Sequence, residues 1–402
     1  MSILINKQRG FVFTNVARLA IVSFIVSLAF ALIATIWAVY LDSFVNNMAI
    51  VGFISAFLTL VSILFYFILV PLIEKSSKAK IYSYSLLFFS ITYALFVINT
   101  KFYFLIILAF VLTILQTIRT TSFGIMVRDK SSKKNLSRNE GLTYSFMNLA
   151  WVIGPLIAGL LSEKYGINMI FILSAIFIFI AFLMFKFLRI KDNNIKKKAH
   201  SEIFKNFKAF FKSKDRILSY VLSGGVDLWW TLTYLFIPLL IIREGLGIKW
   251  VGYFLFAVAV PLIMFQYIFS KLAGKVGFRK IFKIGFSIPF LFALLCFFIG
   301  NIYLIMLFLV LASIGLAMLE PTTEAYFFDL LKKDEECRFY GPYNTTVGLN
   351  QLIGKIIPSI LLIFFPFKFI FLFFSFYMFI MFVISFKIRN IIESKRDGKR
   401  KK

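Results

Sequence analysis

The sequence contains few of the residues on which most enzyme active sites and metal centres depend. Among 402 residues it has one histidine, His200, and two cysteines, Cys296 and Cys337. These numbers exclude a histidine-rich metal or catalytic site, a cysteine cluster for a metal and a disulfide framework. A Gly-x-x-x-x-Gly-Lys-Ser/Thr phosphate loop, which would indicate ATP hydrolysis, does not occur either. We therefore expect a protein that is not an enzyme and that uses no cofactor or metal.

Charged residues are also scarce, at 16% of the chain, whereas 60% of the residues are hydrophobic. An average soluble domain has roughly 25% charged and 45–50% apolar residues. A soluble fold of this size could not cover so much apolar surface with polar side chains. The composition therefore indicates a polytopic membrane protein.

Apolar runs long enough to cross a bilayer, which takes roughly 20 residues per helix, occur twelve times. We call each predicted helix a span and number the spans in chain order. The runs cover residues 15–41, 49–73, 80–98, 102–127, 138–163, 167–188, 216–242, 249–273, 280–300, 302–331, 338–365 and 367–388. Spans 1 to 6 belong to an N-terminal six-helix bundle over residues 1–188, and spans 7 to 12 to a C-terminal bundle over residues 216–388.

The basic residues are distributed unevenly between the two sides of the predicted bundle. The chain has 45 Lys and Arg against 18 Asp and Glu, a net charge of +27. If both termini are cytoplasmic, 38 of the 45 basic residues lie on the cytoplasmic side and five lie outside. This asymmetry predicts a multi-pass plasma-membrane protein with both termini in the cytoplasm. Contact with anionic lipid headgroups explains the positive charge, so no nucleic-acid partner is expected.

The longest polar stretch, residues 189–215, separates the two bundles. Within it, five apolar residues are spaced for one face of a helix. They are Ile203, Phe204, Phe207, Phe210 and Phe211. The pattern predicts a cytoplasmic linker with an interfacial amphipathic helix over residues 202–214. Residues 189–201 are equally compatible with a disordered linker, and residues 389–402 form a basic cytoplasmic tail.

The two bundles are related by an internal repeat. A shift of 200 residues aligns Val51-Gly52 with Val251-Gly252 and Ile153-Gly154 with Ile353-Gly354, without a gap. Charged residues and glycines rarely match at one common offset by chance. Because both bundles have the same orientation, this is a parallel repeat about an axis along the membrane normal. In transporters, that architecture places the substrate site between the halves near the membrane midplane.

The loop after span 2 resembles the signature loop of the major facilitator superfamily of secondary transporters. It combines an acid, Glu74, with the bases Lys75, Lys78 and Lys80, and Arg128 after span 4 is a further basic residue nearby. The resemblance implies an all-α fold of twelve spans that alternates its access between the two sides of the membrane. It also implies that this loop acts as a latch between conformations.

Span 5 resembles the motif that the superfamily associates with antiporters. The residues that carry this resemblance are Gly141, Gly154, Pro155 and Gly159. It implies an exporter of the drug:proton antiporter type. Glycine and proline in a span also favour close approach to a neighbouring helix and bending, so a packing role is an alternative.

Three carboxylates lie well inside the predicted spans, namely Asp227 in span 7 and Glu320 and Glu324 in span 10. An ionisable group in the hydrocarbon region normally faces a cavity or an ionic partner. A carboxyl group in apolar surroundings holds its proton more tightly, and a nearby cation weakens that hold. The three residues are therefore candidates for proton coupling. The alternatives are direct contact with substrate and static pairing, of Asp227 with Lys355 or of Glu320 with Arg119.

Spans 1, 4, 7 and 10 line the cavity in the superfamily, so the resemblance also implies which residues form its wall. Aromatic faces there favour flat, hydrophobic or cationic ligands, and basic residues favour an anion. The wall candidates are Trp37, Tyr40, Gln116, Trp229, Trp230 and Tyr234, and the basic residues Arg119 and Lys355 are further cavity candidates for binding an anionic substrate.

These observations together predict secondary active transport of a small hydrophobic or amphipathic solute, with proton-coupled efflux preferred. We expect a monomer whose partners are its substrate, protons and membrane lipids. The alternative within transport is a proton-coupled importer or facilitator of a small metabolite, which is anionic if Arg119 and Lys355 bind it. A membrane-embedded sensor or lipid-modifying protein is the non-transport alternative, although the sequence has no added soluble domain and no reactive constellation that would support it.

Overall fold

In the computed structural model, residues 15–130, 136–188, 203–332 and 335–392 are described. They contain twelve helices that are long and apolar enough to cross a membrane. Many side chains on the outer surface of these helices are large and apolar, and Phe187, Tyr267 and Phe298 are among the most exposed. An exposed apolar surface of this extent suits lipid rather than water. The predicted all-α fold with twelve spans is confirmed.

The first six spans are Asn15–Val45, Met48–Lys75, Lys78–Val97, Phe102–Lys130, Leu136–Tyr165 and Ile167–Phe187. Span 7 consists of three consecutive helical segments, Lys214–Thr231, Leu232–Phe236 and Ile237–Arg243. Spans 8 to 12 are Ile248–Val276, Phe278–Phe298, Ile302–Leu330, Glu336–Phe364 and Lys368–Ser385. A short linker helix, Ile203–Phe210, precedes span 7. The observed helix ends lie within a few residues of the predicted ones.

Alternating helix directions give the bundle two different ends. We call the end that carries the linker helix and the connections after the even-numbered spans the terminal end, and the opposite end the distal end. Connections at the distal end are short, and asparagine side chains in them cap the start of the next helix. Asn47 accepts the N–H groups of Ala49 and Ile50 and so caps span 2. Asn301 caps span 10 in the same way.

The most extensive contacts between the two halves are those of span 5 with span 8 and of span 2 with span 11. Glycine allows both contacts. A Cβ atom added to Gly252 would lie 2.5 Å from the carbonyl oxygen of Pro155 and 2.8 Å from the Cα of Gly159. A Cβ added to Gly52 would collide with Ser359. Gly52 and Gly252, like Gly159 and Ser359, are 200 residues apart, so the sequence repeat is also a repeat of the interface.

The linker helix packs against the C-terminal half. Phe210, at its end, is fully buried in an aromatic cluster that includes Tyr220, Phe327 and Phe339. The guanidinium of Arg216 donates to the backbone carbonyls at positions 209 and 210 and so holds the end of the helix. The apolar face predicted to lie in the membrane interface is thus partly covered by protein. Residues 189–202 of the predicted linker and 393–402 of the predicted tail lie outside the described residues.

Span 7 changes its winding near the middle. Leu232–Phe236 form one turn of π-helix, in which the N–H of Ile237 reaches the carbonyl of Leu232. Pro238 follows directly and has no N–H to donate to the carbonyl of Tyr234, four residues earlier. Such turns widen the helix by one residue and often occur at functional sites. Here the turn separates Asp227 from the distal end of the span.

Candidate functional site

The three predicted carboxylates of the C-terminal half lie on two adjoining spans, 7 and 10. Asp227 lies within electrostatic range of Glu320 on the adjoining span. Glu320 Oε2 accepts a 2.7 Å hydrogen bond from Nε2 of Gln266 in span 8. Glu324 accepts a hydrogen bond from the hydroxyl of Tyr340 in span 11. The structure therefore gathers the three acids into one polar cluster within the membrane-spanning part of the C-terminal half.

Neither of the static ion pairs considered from the sequence forms between the described residues. Lys355 donates to Thr59 Oγ1 at 2.7 Å, and Arg119 Nε donates to Gln116 Oε1 at 3.2 Å. The described ion pairs include none with Asp227, Glu320 or Glu324. A carboxylate in the membrane without a cation must be neutralised by a proton or a ligand, or be reached by water. The cluster is thus chemically able to take up and release protons.

Two of the predicted aromatic wall residues lie where the halves meet. The ring of Tyr234 is 5.6 Å from that of Trp230 and 5.7 Å from that of Trp151 in span 5, measured between centroids. The charge of Glu320 also acts on Tyr234. Three aromatic rings therefore lie beside the acidic cluster and connect it to the N-terminal half. Aromatic faces next to carboxylates suit an apolar or cationic group.

The other predicted aromatic residues lie inside the halves. Trp229 is 1% exposed and meets the edge of Phe374 in span 12. Tyr40 is 5% exposed, packs on Phe171 of span 6, and its hydroxyl accepts a hydrogen bond from Asn99. Trp37 lies beside Tyr40 with a centroid distance of 6.4 Å. These three residues contribute to the packing of each half rather than to the surface between them.

Lys355 connects the halves at the contact between spans 11 and 2. Its ammonium group donates to Thr59 Oγ1, and Thr59 in turn donates to the backbone carbonyl of Ser55. None of the ion pairs between described residues includes Lys355, so no carboxylate among them compensates its charge. Arg119 and Gln116 lie instead inside the N-terminal half, where the Phe30 ring covers the guanidinium at 4.4 Å.

Among the described residues, two ion pairs join the halves at the distal end. Arg243, the last residue of span 7, binds Asp42 near the end of span 1. Lys249 in span 8 binds Glu163 in span 5 at 3.2 Å. Glu163 also accepts the backbone N–H of Lys249, in the first turn of span 8. Gly247 precedes that turn, and a side chain there would collide with the Glu163 carboxylate.

The distal end is therefore closed, whereas spans 4 and 10 are not among the extensively packed pairs of helices in the part of the chain that the structure describes. The span 5 motif takes part in the closure. Gly154 lets span 5 approach span 1, because a Cβ there would lie 2.5 Å from that of Ala31. Pro155 and Gly159 form the contact with Gly252. The surroundings of Gly141 lie outside the described residues.

The predicted latch loop connects spans 2 and 3 at the terminal end. The backbone turns at Ser76 and Ser77, and Ser77 caps span 3 by accepting the N–H of Lys80. Lys75 and Lys80 are exposed and Lys78 is half-buried. The side chains of Glu74 and Arg128 lie outside the described residues, so the latch stays a prediction.

Sequence reasoning missed Gln266, Thr59, Trp151 and the distal ion pairs. Gln266 has a visible signal, since it is an amide within a predicted apolar span. It lies on span 8, the same helix as Gly252, which is the repeat equivalent of Gly52. Thr59 and Trp151 are common residue types in spans and gave no sequence signal of a role in the site. Asp42 and Glu163 lie at span ends, where a charge is ordinary and reveals no partner.

Comparisons with known proteins agree with this geometry. The family model described as Major Facilitator Superfamily matches residues 19–302 and 230–402. Among curated proteins, none shows significant sequence similarity to the chain.

Solved structures with the same fold include transporters of several kinds. A POT family transporter in complex with 5-aminolevulinic acid aligns with a TM-score of 0.76 at 14% identity, over 94% of this chain and 96% of that one. The nucleoside transporter NupG aligns with a TM-score of 0.73 at 13% identity, over 94% and 100%. An inward-facing, unoccupied bacterial homologue of the human lysosomal transporter Spinster gives 0.72 at 12% identity, over 92% and 95%. At these identities the likeness concerns the fold alone.

Proposed function

The chain belongs to the major facilitator superfamily of membrane transporters, and from that premise we propose that it exports a small hydrophobic or amphipathic solute in exchange for protons. The observation that carries the proposal is the pair Asp227 and Glu320. The two carboxylates lie on adjoining spans within electrostatic range of each other, and the described residues give neither of them a cation. Two such groups cannot both be charged at low cost, so binding or loss of a proton changes the charge of the cluster.

Alternating access then gives exchange. When the cluster is open to one side and unprotonated, the solute binds between the acids and the rings of Trp230, Tyr234 and Trp151. After reorientation, protons from the other side take its place on the carboxylates. The resemblance of span 5 to the antiporter motif supports this direction. With both termini in the cytoplasm, the closed distal end is the outer end and the protein faces inward.

Reconstitution of the purified protein in liposomes tests the proposal. A panel of aromatic amines, neutral amphiphiles and carboxylates is offered with the lumen acidic, alkaline or at the outside pH. Exchange for protons should concentrate a transported solute on the acidic side, whichever way the protein is inserted. Matched liposomes that contain the double variant Asp227→Asn and Glu320→Gln should lose the accumulation but still equilibrate the solute across the membrane. Accumulation on the alkaline side would show symport and would contradict the proposed exchange.

A second candidate function is import of an anionic metabolite, and the uncompensated charge of Lys355 favours it. Its ammonium group has Thr59 as its hydrogen-bond partner and no carboxylate among the described residues. A substrate carboxylate at the contact between spans 2 and 11 would balance this charge. Under this alternative, the carboxylates of the panel accumulate on the alkaline side, and Lys355→Met abolishes their transport.

A further inference from the structure

A second polar site lies inside the N-terminal half, away from the acidic cluster. Arg119 of span 4 is 7% exposed and is surrounded by residues of spans 1, 3 and 4. Phe30 covers one face of the guanidinium at 4.4 Å, and Gln116 accepts its Nε. The ring of Tyr82 in span 3 contacts Phe123, which lies one turn after Arg119 in span 4, and Tyr82 and Tyr93 are within electrostatic range of the guanidinium.

Arg119 has more hydrogen-bond donors than the described residues accept, since Nε alone is bonded. Gln116 Oε1 is the acceptor that the described residues provide for Arg119, and it binds Nε, so Nη1 and Nη2 have none. The Tyr82 hydroxyl is buried with no hydrogen-bond partner. Tyr82 itself is 0% exposed and is fixed by ring contacts with Phe123 and Phe185. A buried hydroxyl without a partner, like that of Tyr82, is rare in folded proteins and indicates a missing partner.

The missing partner must also carry charge. A guanidinium does not lose its proton in a protein, and no carboxylate among the described residues pairs with it. An isolated buried charge is costly in the membrane. A water molecule would accept hydrogen bonds but would leave the charge uncompensated. An anion does both.

We propose that Arg119, together with the Tyr82 hydroxyl, forms a binding site for one small monovalent anion inside the N-terminal half. A halide ion and a carboxylate are compact groups that carry this charge. The anion has two sources, a free inorganic ion or the acid group of a bound molecule. The site goes beyond the proposed exchange of solute for protons, since its residues belong to spans 1, 3 and 4 and the proton-binding acids belong to spans 7 and 10.

The test measures the thermal stability of the purified full-length protein in detergent, without any transported solute. Sodium chloride, bromide or acetate replaces sodium gluconate at constant ionic strength, because gluconate is too large and too hydrated for the site. Saturation of the site should raise Tm by about 2–4 °C, with a saturable dependence on the concentration of the anion. Stabilisation by chloride and bromide identifies a free inorganic ion, and stabilisation by acetate alone identifies the acid group of a larger molecule.

Two variants connect the effect to the site. Tyr82→Phe removes the unpaired hydroxyl, keeps the ring contacts, and should weaken anion binding about threefold to tenfold. Arg119→Gln should abolish the Tm shift. Tyr377→Phe is the matched control, because that hydroxyl already donates to Asn350 in the C-terminal half, and it should leave the shift unchanged. The proposal is overturned if the wild-type protein shows no saturable shift, which is the result for water alone, or if Tyr82→Phe responds to anions as the wild type and Tyr377→Phe do. Since no transport is measured, failure here leaves the proposed exchange untouched.

Discussion

Arg243 donates from Nη2 to both carboxylate oxygens of Asp42, each at 2.9 Å. The two residues come from opposite halves, one at the end of span 7 and the other near the end of span 1, and Asp42 is buried. The pair exists only while the distal ends of the halves are together. It therefore stabilises the distal-closed conformation relative to the distal-open one.

Asp42→Asn should shift the protein towards the distal-open conformation. A partly exposed ion pair contributes about 0.5–1 kcal/mol, which corresponds to a roughly twofold to fivefold change in population. The measurement is the labelling rate of a cysteine at Tyr234, in a background without Cys296 and Cys337, by an impermeant thiol reagent from the distal side. Asp215→Asn is the control, because Asp215 pairs with Arg389 within the C-terminal half. Equal rates in the two variants would contradict a gate role for Asp42.

Gly252→Ala should separate spans 5 and 8. The added methyl group would lie 2.5 Å from the Pro155 carbonyl oxygen and 2.8 Å from the Gly159 Cα, both backbone atoms that cannot rotate away. Overpacking of this kind typically costs about 1–3 kcal/mol, and it acts on the distal-closed conformation. We expect a lower Tm and faster labelling from the distal side.

Gly124→Ala is the matched control for this glycine prediction. A methyl group at Gly124, also within a span, has nothing within 4 Å, so the substitution should be neutral or slightly stabilising. If the two alanine variants had the same Tm and the same labelling rate, the contact between Gly159 and Gly252 would not determine the stability of the distal-closed conformation.

The number and limits of the spans were predictable because membrane thickness and charge fix them independently of tertiary contacts. The predicted run 216–242 agrees with span 7 as a whole, Lys214–Arg243. Its π-helical turn was not predicted, because hydropathy does not report a shift of one backbone hydrogen bond. Pro238 was visible as a proline inside a span, but a proline alone allows a kink as well as a π-helical turn.

The repeat predicted more about the interface than about the site. It aligned Gly52 with Gly252, and both make the same kind of contact between the halves. The same shift places Arg119 next to Thr120, the residue equivalent to Glu320, but a pair of Arg119 with Glu320 does not form among the described residues. Residues at equivalent positions of a parallel repeat lie on opposite sides of its axis, so equivalence in sequence does not imply contact. Pairing across the halves, as of Asp42 with Arg243, depends on distances that only the folded chain defines.

Both termini are predicted to be cytoplasmic, which makes the distal end extracellular. Single cysteines at Val45, Thr100, Gly166 and Gly247, in the cysteine-free background, should react with an impermeant thiol reagent added to intact cells. Cysteines at Ser76 and Lys387, on the terminal end, should react only after permeabilisation. The opposite pattern would reverse the membrane orientation and, with it, the assignment of the closed end to the outside.

The final prediction concerns the proton-coupling acids, replaced one at a time by Asp227→Asn, Glu320→Gln and Glu324→Gln. None of the three is bonded to a basic side chain among the described residues. Their neutralisation should therefore strand no cation, and expression and Tm should stay close to the wild type. A buried ion pair broken on one side would instead cost about 3–5 kcal/mol. Loss of folded protein in all three variants would support static pairing.

Transport measurements then separate proton carriage from simple substrate contact. If one acid carries the proton, its amide variant should lose uphill transport driven by a pH gradient. Exchange of solute down its own gradient should survive, because the amide resembles the protonated acid and allows the halves to reorient. If an acid only contacts the substrate, its amide variant should weaken both activities together, through a higher KM. Asp215→Asn, at the terminal end, is the control that should change neither. Full uphill transport in all three amide variants would contradict proton coupling through this cluster, since the described residues place no other carboxylate within the middle of the spans.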